Sequence, residues 1–314
     1  MTVLVTGAAG FVGTHVSAAL KQRRDGVLGF DNFNDYYNLS LKQARESLLE
    51  HSGVLIVEGN INDKLLLTKL FEIVSFTHVM HLAAQASVLH SNIIGFVSLL
   101  EFCKSANPQP SIVWASSNSV YGLNTKMPFS ENDRADQPAS LCAATKKAGE
   151  EIAHIYNHMY GLSLHCSAVL HWTYQKGKSI PFFDSQKLGT VARDFTYVDD
   201  TVKGCLSALD IAGKSTGING KKTGKAPLRV FNLGNTLPVK VSDLVSILER
   251  ILKVKAKMTV MKLPGNGDVE YTHASISLAE RELSYKTTTD LQIGLKKFVK
   301  WYLSYYKSRK KGAE

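Results

Sequence analysis

Only four cysteines occur in 314 residues, Cys103, Cys142, Cys166 and Cys205, and no two form a Cys-x-x-Cys pair. That scarcity excludes a disulfide framework or a cysteine-built zinc site as the organising principle, and it is the usage expected in a reducing compartment. Long apolar runs are also missing: none approaches the roughly 20 residues a helix needs to cross a bilayer. Met1 leads straight into Thr2-Val3-Leu4-Val5-Thr6, without a basic segment before an apolar stretch. From these residues alone, no membrane segment and cytoplasmic residence are expected. Acids are in the minority, 27 against 37 bases, for a net charge of +10. Seven of the bases lie between Lys296 and Lys311, where no acid occurs, and Lys214, Lys221, Lys222 and Lys225 crowd a glycine-rich stretch. Neither cluster carries a nucleic-acid motif, so both read as solvated surface and no nucleic-acid partner is expected. His81, His90 and His171 have no carboxylate or second histidine at ligand spacing, which leaves no metal site to propose.

What is present is ample core material, 44% hydrophobic residues, and a regular alternation of short β-branched runs with longer amphipathic segments. The runs at 3–6, 27–30, 54–58, 78–82, 112–116 and 162–166 are predicted strands, read as apolar on both faces because helices cover both. Helical spacing fills the gaps at 11–21, 41–50, 63–74, 92–105 and 143–160, with Asn62 or Asp63 and Ser140 as N-caps. The pattern predicts an α/β doubly wound parallel sheet of the Rossmann type over residues 1–166. Beyond it the alternation fails, although 199–209, 241–252, 276–283 and 290–305 still read as helices. A smaller C-terminal α/β substrate domain over 167–314, interleaved with the first, is expected. The aromatics Trp301, Tyr302, Tyr305 and Tyr306 read as packing on the last helix.

The first strand runs directly into Gly7-Ala8-Ala9-Gly10-Phe11-Val12-Gly13 and then a helix. Glycines there permit a tight turn and let a pyrophosphate approach backbone N–H groups at the positive helix end. Asp31 closes the second strand 18 residues after Gly13, where a carboxylate can accept from the adenosine ribose hydroxyls and repel a 2′-phosphate. The reading is a dinucleotide site with NAD preferred over NADP.

These segments, together with Asp31-Asn32, His81-Leu82-Ala83-Ala84-Gln85, Ser116-Ser117-Asn118-Ser119-Val120-Tyr121-Gly122, Ala143-Ala144-Thr145-Lys146 and the run from Arg193 to Asp200, resemble the extended short-chain dehydrogenase/reductase family. Within it the chain is most similar to the nucleotide-sugar epimerases, the plant UDP-glucuronate 4-epimerases above all. The resemblance implies bound NAD, a UDP-sugar substrate (UDP-glucuronate) and transient oxidation at the sugar C4. It places Gly7, Gly10, Phe11, Val12, Gly13, Asp31, Asn32, Asn60, Ile61, Leu82, Ala83, Ala84 and Lys146 around the cofactor, and Arg193 at the substrate diphosphate. The family has Asp where Asn60 stands. Ser117 corresponds to the serine that hydrogen-bonds the reacting oxygen, and Lys146 to the lysine that holds the nicotinamide ribose and eases ionisation of a phenol. The resemblance also implies a homodimer, and for the plant group Golgi residence through an N-terminal membrane segment.

Four departures stand out. Cys142 occupies the position, one helical turn before Lys146, where the family carries its catalytic tyrosine. Only residues 86–90 connect Gln85 to Ser91, where the family has a longer segment. The substrate loop after the sixth strand is replaced by Ala168-Val169-Leu170-His171-Trp172-Thr173-Tyr174, and Gly265 stands at the position of a diphosphate-binding arginine. Two readings follow: an epimerase with an impaired base, or a catalytically silent NAD-binding homologue that acts as a structural or dimerisation partner.

Overall fold

The computed structural model describes residues 1–35, 38–85, 89–168, 180–184, 191–218, 220–262 and 270–311. Six strands are parallel neighbours in one sheet: β1 (Thr2–Thr6), β2 (Gly26–Asp31), β3 (Leu55–Glu58), β4 (His78–His81), β5 (Ser111–Ser116) and β6 (Leu164–Ala168). Their spatial order is 3-2-1-4-5-6, and the strand Leu228–Asn232 adds a seventh beside β6. That edge strand was not foreseen from sequence. Its burial alternates before the last two residues, Phe231 and Asn232, turn fully inward, so it offers no continuous apolar run to read. The order in which strands are added reverses between β1 and β4, which opens the crevice where such sheets bind ligands.

Helices α1 (Phe11–Gln22), α2 (Leu39–His51), α3 (Lys64–Ile73), α4 (Gly95–Ser105), α5 (Leu141–Tyr160) and α6 (Val198–Asp210) flank the sheet. Strand pleating divides β1 between two cores. Val3 and Val5 pack with Val16 and Leu20 of α1 and Val202, Cys205 and Leu209 of α6. Leu4 packs on the opposite face with Leu67, Phe96, Leu99 and Trp114. Alternate residues of a strand point to opposite faces, so β1 must be apolar throughout. Asp63 is the cap of α3, accepting from the Leu66 N–H at 3.0 Å, and Ser140 caps α5 by accepting from the Ala143 N–H at 3.2 Å. A π-helical turn, His90–Ile94, precedes α4 inside the segment read as one continuous helix.

Strand β6 corrects the expectation of a strand apolar on both faces. Ser163, His165 and Ser167 share one face and are 0–1% exposed. In the second half, α7 (Val241–Leu252), α8 (Ser277–Leu283) and α9 (Leu291–Lys311) match the helical spacing read from sequence. Two acids of the run from Arg193 to Asp200 hold this half together. Asp194, 1% exposed, accepts from the N–H groups of Asn235, Thr236 and Ala274. Asp200, fully buried, accepts from Thr288, Thr289 and Lys203. Both carboxylates replace lost water with directed donors.

Candidate active site

The loop after β1 lies against the ends of its two neighbours. Gly7 N–H donates to Phe30 O at 2.7 Å, and Gly10 N–H to Gly7 O at 2.9 Å. Gly7 has φ +72°, and a Cβ on it would stand 2.8 Å from Ala83 N. At Gly13 a Cβ would stand 2.0 Å from Gly7 O. The glycine spacing is therefore a packing requirement: the loop folds back onto its own helix and touches the loop after β4. Gly10 caps α1 without a side-chain acceptor, and no acid sits in the first turn. A helix end with undirected N–H donors and no competing carboxylate suits a pyrophosphate.

Asp31, 6% exposed, ends β2 beside that loop. Its Oδ2 accepts from the Ala9 N–H at 3.1 Å, and its Oδ1 from the Phe33 N–H at 3.0 Å and from Lys42 Nζ at 3.1 Å. Lys42 itself is 4% exposed. Sequence reading missed it, since a lysine eleven residues past a strand end is indistinguishable from a surface lysine of α2. Asn32 is exposed and accepts from the Asn34 N–H. Asn60 is exposed with its side chain turned to the Asn62 N–H, and Ile61 is buried. Leu82 and Ala83 are half-buried and Ala84 is exposed. All the residues assigned to the cofactor thus fall at the carboxyl ends of β1, β2, β3 and β4 or on the first turn of α1, except Lys146.

Lys146 rises from α5 under β5. Its ammonium donates to Ala115 O at 2.6 Å and sits 5.1 Å from the centre of the Trp114 ring. Burial pulls its pKa down to about 8, with Cys142 acting in the opposite direction. A stacked series supports it: Trp114 lies 4.7 Å from Phe96, and Phe96 5.3 Å from His81. His81 shares a 2.7 Å hydrogen bond with Thr6 Oγ1, and burial followed by the nearby Lys146 charge lowers its pKa to about 3, so the ring is neutral. The histidine belongs to the scaffold, as its place at a strand end suggests. Asn92 fastens the Gln85 turn to α5, accepting from Gln85 N–H at 2.9 Å while its amide donates to Gln85 O and Thr145 Oγ1. Neither Asn92 nor Trp114 carries a sequence signal of this role, because both act across long stretches of chain.

Ser117 follows β5 in extended backbone, and its Oγ accepts from the Ser119 N–H at 3.2 Å and the Ser119 hydroxyl at 2.8 Å. Cys142 lies in the first turn of α5, partly exposed. The fold therefore gathers Ser117, Cys142 and Lys146 around the end of β5. A neighbouring phenol does not replace the missing one: Tyr121, 4% exposed, donates to Asn232 Oδ1 at 3.0 Å. Burial holds its pKa above the ordinary tyrosine value. Arg193 lies on the short strand Ala192–Arg193, where its guanidinium donates to Ala192 O and Glu270 O. The altered segments at 86–88, 169–174 and Gly265 lie outside the described residues. Among the described residues no group of three or more His, Cys, Asp and Glu side chains could hold a metal ion.

Comparison with known proteins fits this arrangement. A family model described as the NAD dependent epimerase/dehydratase family matches residues 3–173. UDP-glucuronate 4-epimerase 4 of Arabidopsis thaliana is 69% identical over 339 aligned positions, covering 100% of this chain and 78% of that protein. UDP-glucuronate 4-epimerase 1 of the same plant is 60% identical over 332 positions, covering 98% and 77%. An alignment of 339 positions against 314 residues leaves at least 25 positions of that first relative without a counterpart here. The crystal structure of UDP-glucuronic acid 4-epimerase from Bacillus cereus, in complex with UDP-glucuronic acid and NAD, superposes with a TM-score of 0.79 at 29% identity, covering 94% of this chain and 96% of that one. With a matching model over more than half its length and close relatives over nearly all of it, this chain belongs to the NAD-dependent epimerase/dehydratase family.

Proposed function

We propose that the protein is a UDP-glucuronate 4-epimerase with slowed chemistry, in which a thiol stands at the position of the proton-transferring phenol. The observation that carries the reading is the cofactor frame, from the Gly7–Gly13 packing to the buried Lys146, standing beside the replacement at Cys142. Bound NAD would supply a reversible hydride acceptor. The chain's own residues do the rest. Gly7, Gly10, Phe11, Val12 and Gly13 receive the pyrophosphate, and Asp31 with Asn32 meets the adenosine ribose. Asn60 and Ile61 border the adenine, and Leu82, Ala83 and Ala84 line the groove. Lys146 holds the nicotinamide ribose, and its charge favours the anionic form of any acid beside it. Ser117 orients the sugar hydroxyl. Cys142 lacks the ring that carries a phenol oxygen out to the sugar, so proton transfer loses its geometry before it loses its chemistry. Arg193 binds the diphosphate from the 167–314 unit.

Among the described residues no helix is long and apolar enough to cross a membrane. The half-exposed Ile155 and Met159, one turn apart on α5, and Ile94 before α4 support pairing of two copies through these helices. Light scattering showing a 34.5 kDa particle would defeat that pairing. For the activity, purified protein is incubated with UDP-glucuronate and NAD and the formation of UDP-galacturonate is followed. Slow conversion with clear NADH binding is the expected result. Failure to bind any dinucleotide would overturn the reading.

A further inference from the structure

The ribose carboxylate does not stand alone. Lys42 places a buried ammonium 3.1 Å from Asp31 Oδ1 and 2.9 Å from Asn34 Oδ1. Two of its three N–H donors are thereby used, and no third acceptor for it occurs among the described residues. Asp31 accepts two donors at Oδ1 and one at Oδ2, so an ionised carboxylate keeps one further acceptor position on Oδ2. A second cation is close: Arg45 on the same helix donates to Ala9 O at 3.4 Å, with its guanidinium 5.7 Å from the Phe11 ring centre. The negative charges around them besides Asp31 are Glu46, half-buried on α2, with Glu50 on the same helix and Glu58, which pairs with Asp31 in the sheet; burial first, and then these acids, hold the Glu46 carboxyl above the usual range.

A lone carboxylate rejects a 2′-phosphate by like-charge repulsion. Here that charge is cancelled within the same buried pair. We propose that Lys42 is a specificity-determining residue of the dinucleotide site: together with Asp31 it offers a ribose diol one acceptor and one donor, and its charge makes the site tolerant of 2′-phosphorylated dinucleotide. The inference rests on the NAD reading above. NADPH is then disfavoured because its phosphate cannot donate to Asp31, while Lys42 remains available to attract it. Taking away the carboxylate should turn the site toward NADPH, and taking away the lysine as well should cancel that turn.

The test is a binding cycle read by fluorescence titration of NADH and NADPH on the wild type, Asp31→Asn, Lys42→Met and the double variant, with Lys42→Arg as the charge-preserving control. Thermal unfolding establishes that each variant is folded. In the wild type, NADPH should bind within about 100-fold of NADH. Asp31→Asn should tighten NADPH relative to NADH by at least about ten-fold, the double variant should lose most of that gain, and Lys42→Arg should keep the wild-type ratio. The proposal is overturned if Asp31→Asn gains the same preference with and without Lys42, or gains none. Wild type that binds NADH but shows either pattern defeats this inference alone. Wild type that binds neither dinucleotide defeats the cofactor reading, and this one with it.

Discussion

Two regions of one sheet treat their polar residues in opposite ways. At the carboxyl ends of β1, β2, β4 and β5, every buried polar side chain described above has a partner: Thr6 with His81 and Ala83, Asp31 with three donors, Lys146 with Ala115 O, Asn92 with Gln85 and Thr145. On β6 the side-chain oxygens of Ser163 and Ser167 and Nε2 of His165 are buried with none among the described residues. His165 keeps one contact, between Nδ1 and Ala208 O at 3.1 Å. The difference lies in what faces each group. A strand end looks onto loops whose N–H and C=O groups are still available, whereas β6 looks onto α6, whose backbone is consumed by its own helix except in the last turn, where Ala208 O meets His165. The cofactor side is built to be polar, and β6 carries polar residues where the fold offers them little.

The largest expected effect separates the two regions directly. Cys142→Tyr restores a phenol above an intact Lys146, and general acid–base catalysis of this kind contributes on the order of 10²–10⁴-fold, so turnover of UDP-glucuronate should rise steeply. It should nevertheless stay below a typical enzyme rate of about 10 s⁻¹ if, as proposed, the departures at residues 86–90, 168–174 and Gly265 weaken the hold on the substrate. A rate at or above that value would mean that the altered substrate side is not limiting.

Next comes the cofactor loop. Gly13→Val would force a side chain against Gly7 O, which is already 2.0 Å from an ideal Cβ. A loss of roughly 3 kcal/mol or more in urea unfolding, or of dinucleotide binding in a folded variant, is expected. Unchanged stability and binding would show that the loop is not packed as described.

The β6 region should reveal itself in acid. Burial holds His165 near a pKa of about 4 against 6.5 for the free group. The unfolded chain therefore takes up a proton near pH 6.5 while the native chain takes it only near 4. Stability is present above 6.5 and falls as the pH drops through that window, by roughly 3 kcal/mol at most. His81 acts in the same direction down to about 3. His165→Val should flatten the dependence of the urea midpoint between pH 7 and 4.5, leaving the part due to His81, His78 and His15, which burial also lowers. The smallest effect is expected for Ser167→Ala, which removes a hydroxyl unpartnered among the described residues without adding bulk to the packed core. A gain of about 1 kcal/mol is expected, and a loss of stability would mean that the hydroxyl has a partner after all.

Much of the fold and the site was legible along the chain because local spacing carries it. Glycine positions after the first strand, an acid closing the second, Ser117 after the fifth and Lys146 four residues past Cys142 follow from periodicity, turn chemistry and family likeness. The helices matched their spacing; Ser140 is the cap expected, and of the two candidates Asn62 and Asp63 the structure uses Asp63. Tertiary structure alone decided the remainder. It brought Leu228–Asn232 to the edge of the first-half sheet and set Lys42 against Asp31. It assigned Asp194 and Asp200 to clamping backbone rather than to chemistry, and it covered the polar face of β6, which alternation alone would leave in solvent. Each of these depends on which distant segment lies opposite. Local periodicity fixes the direction in which a side chain points, and only the folded chain determines what it meets there.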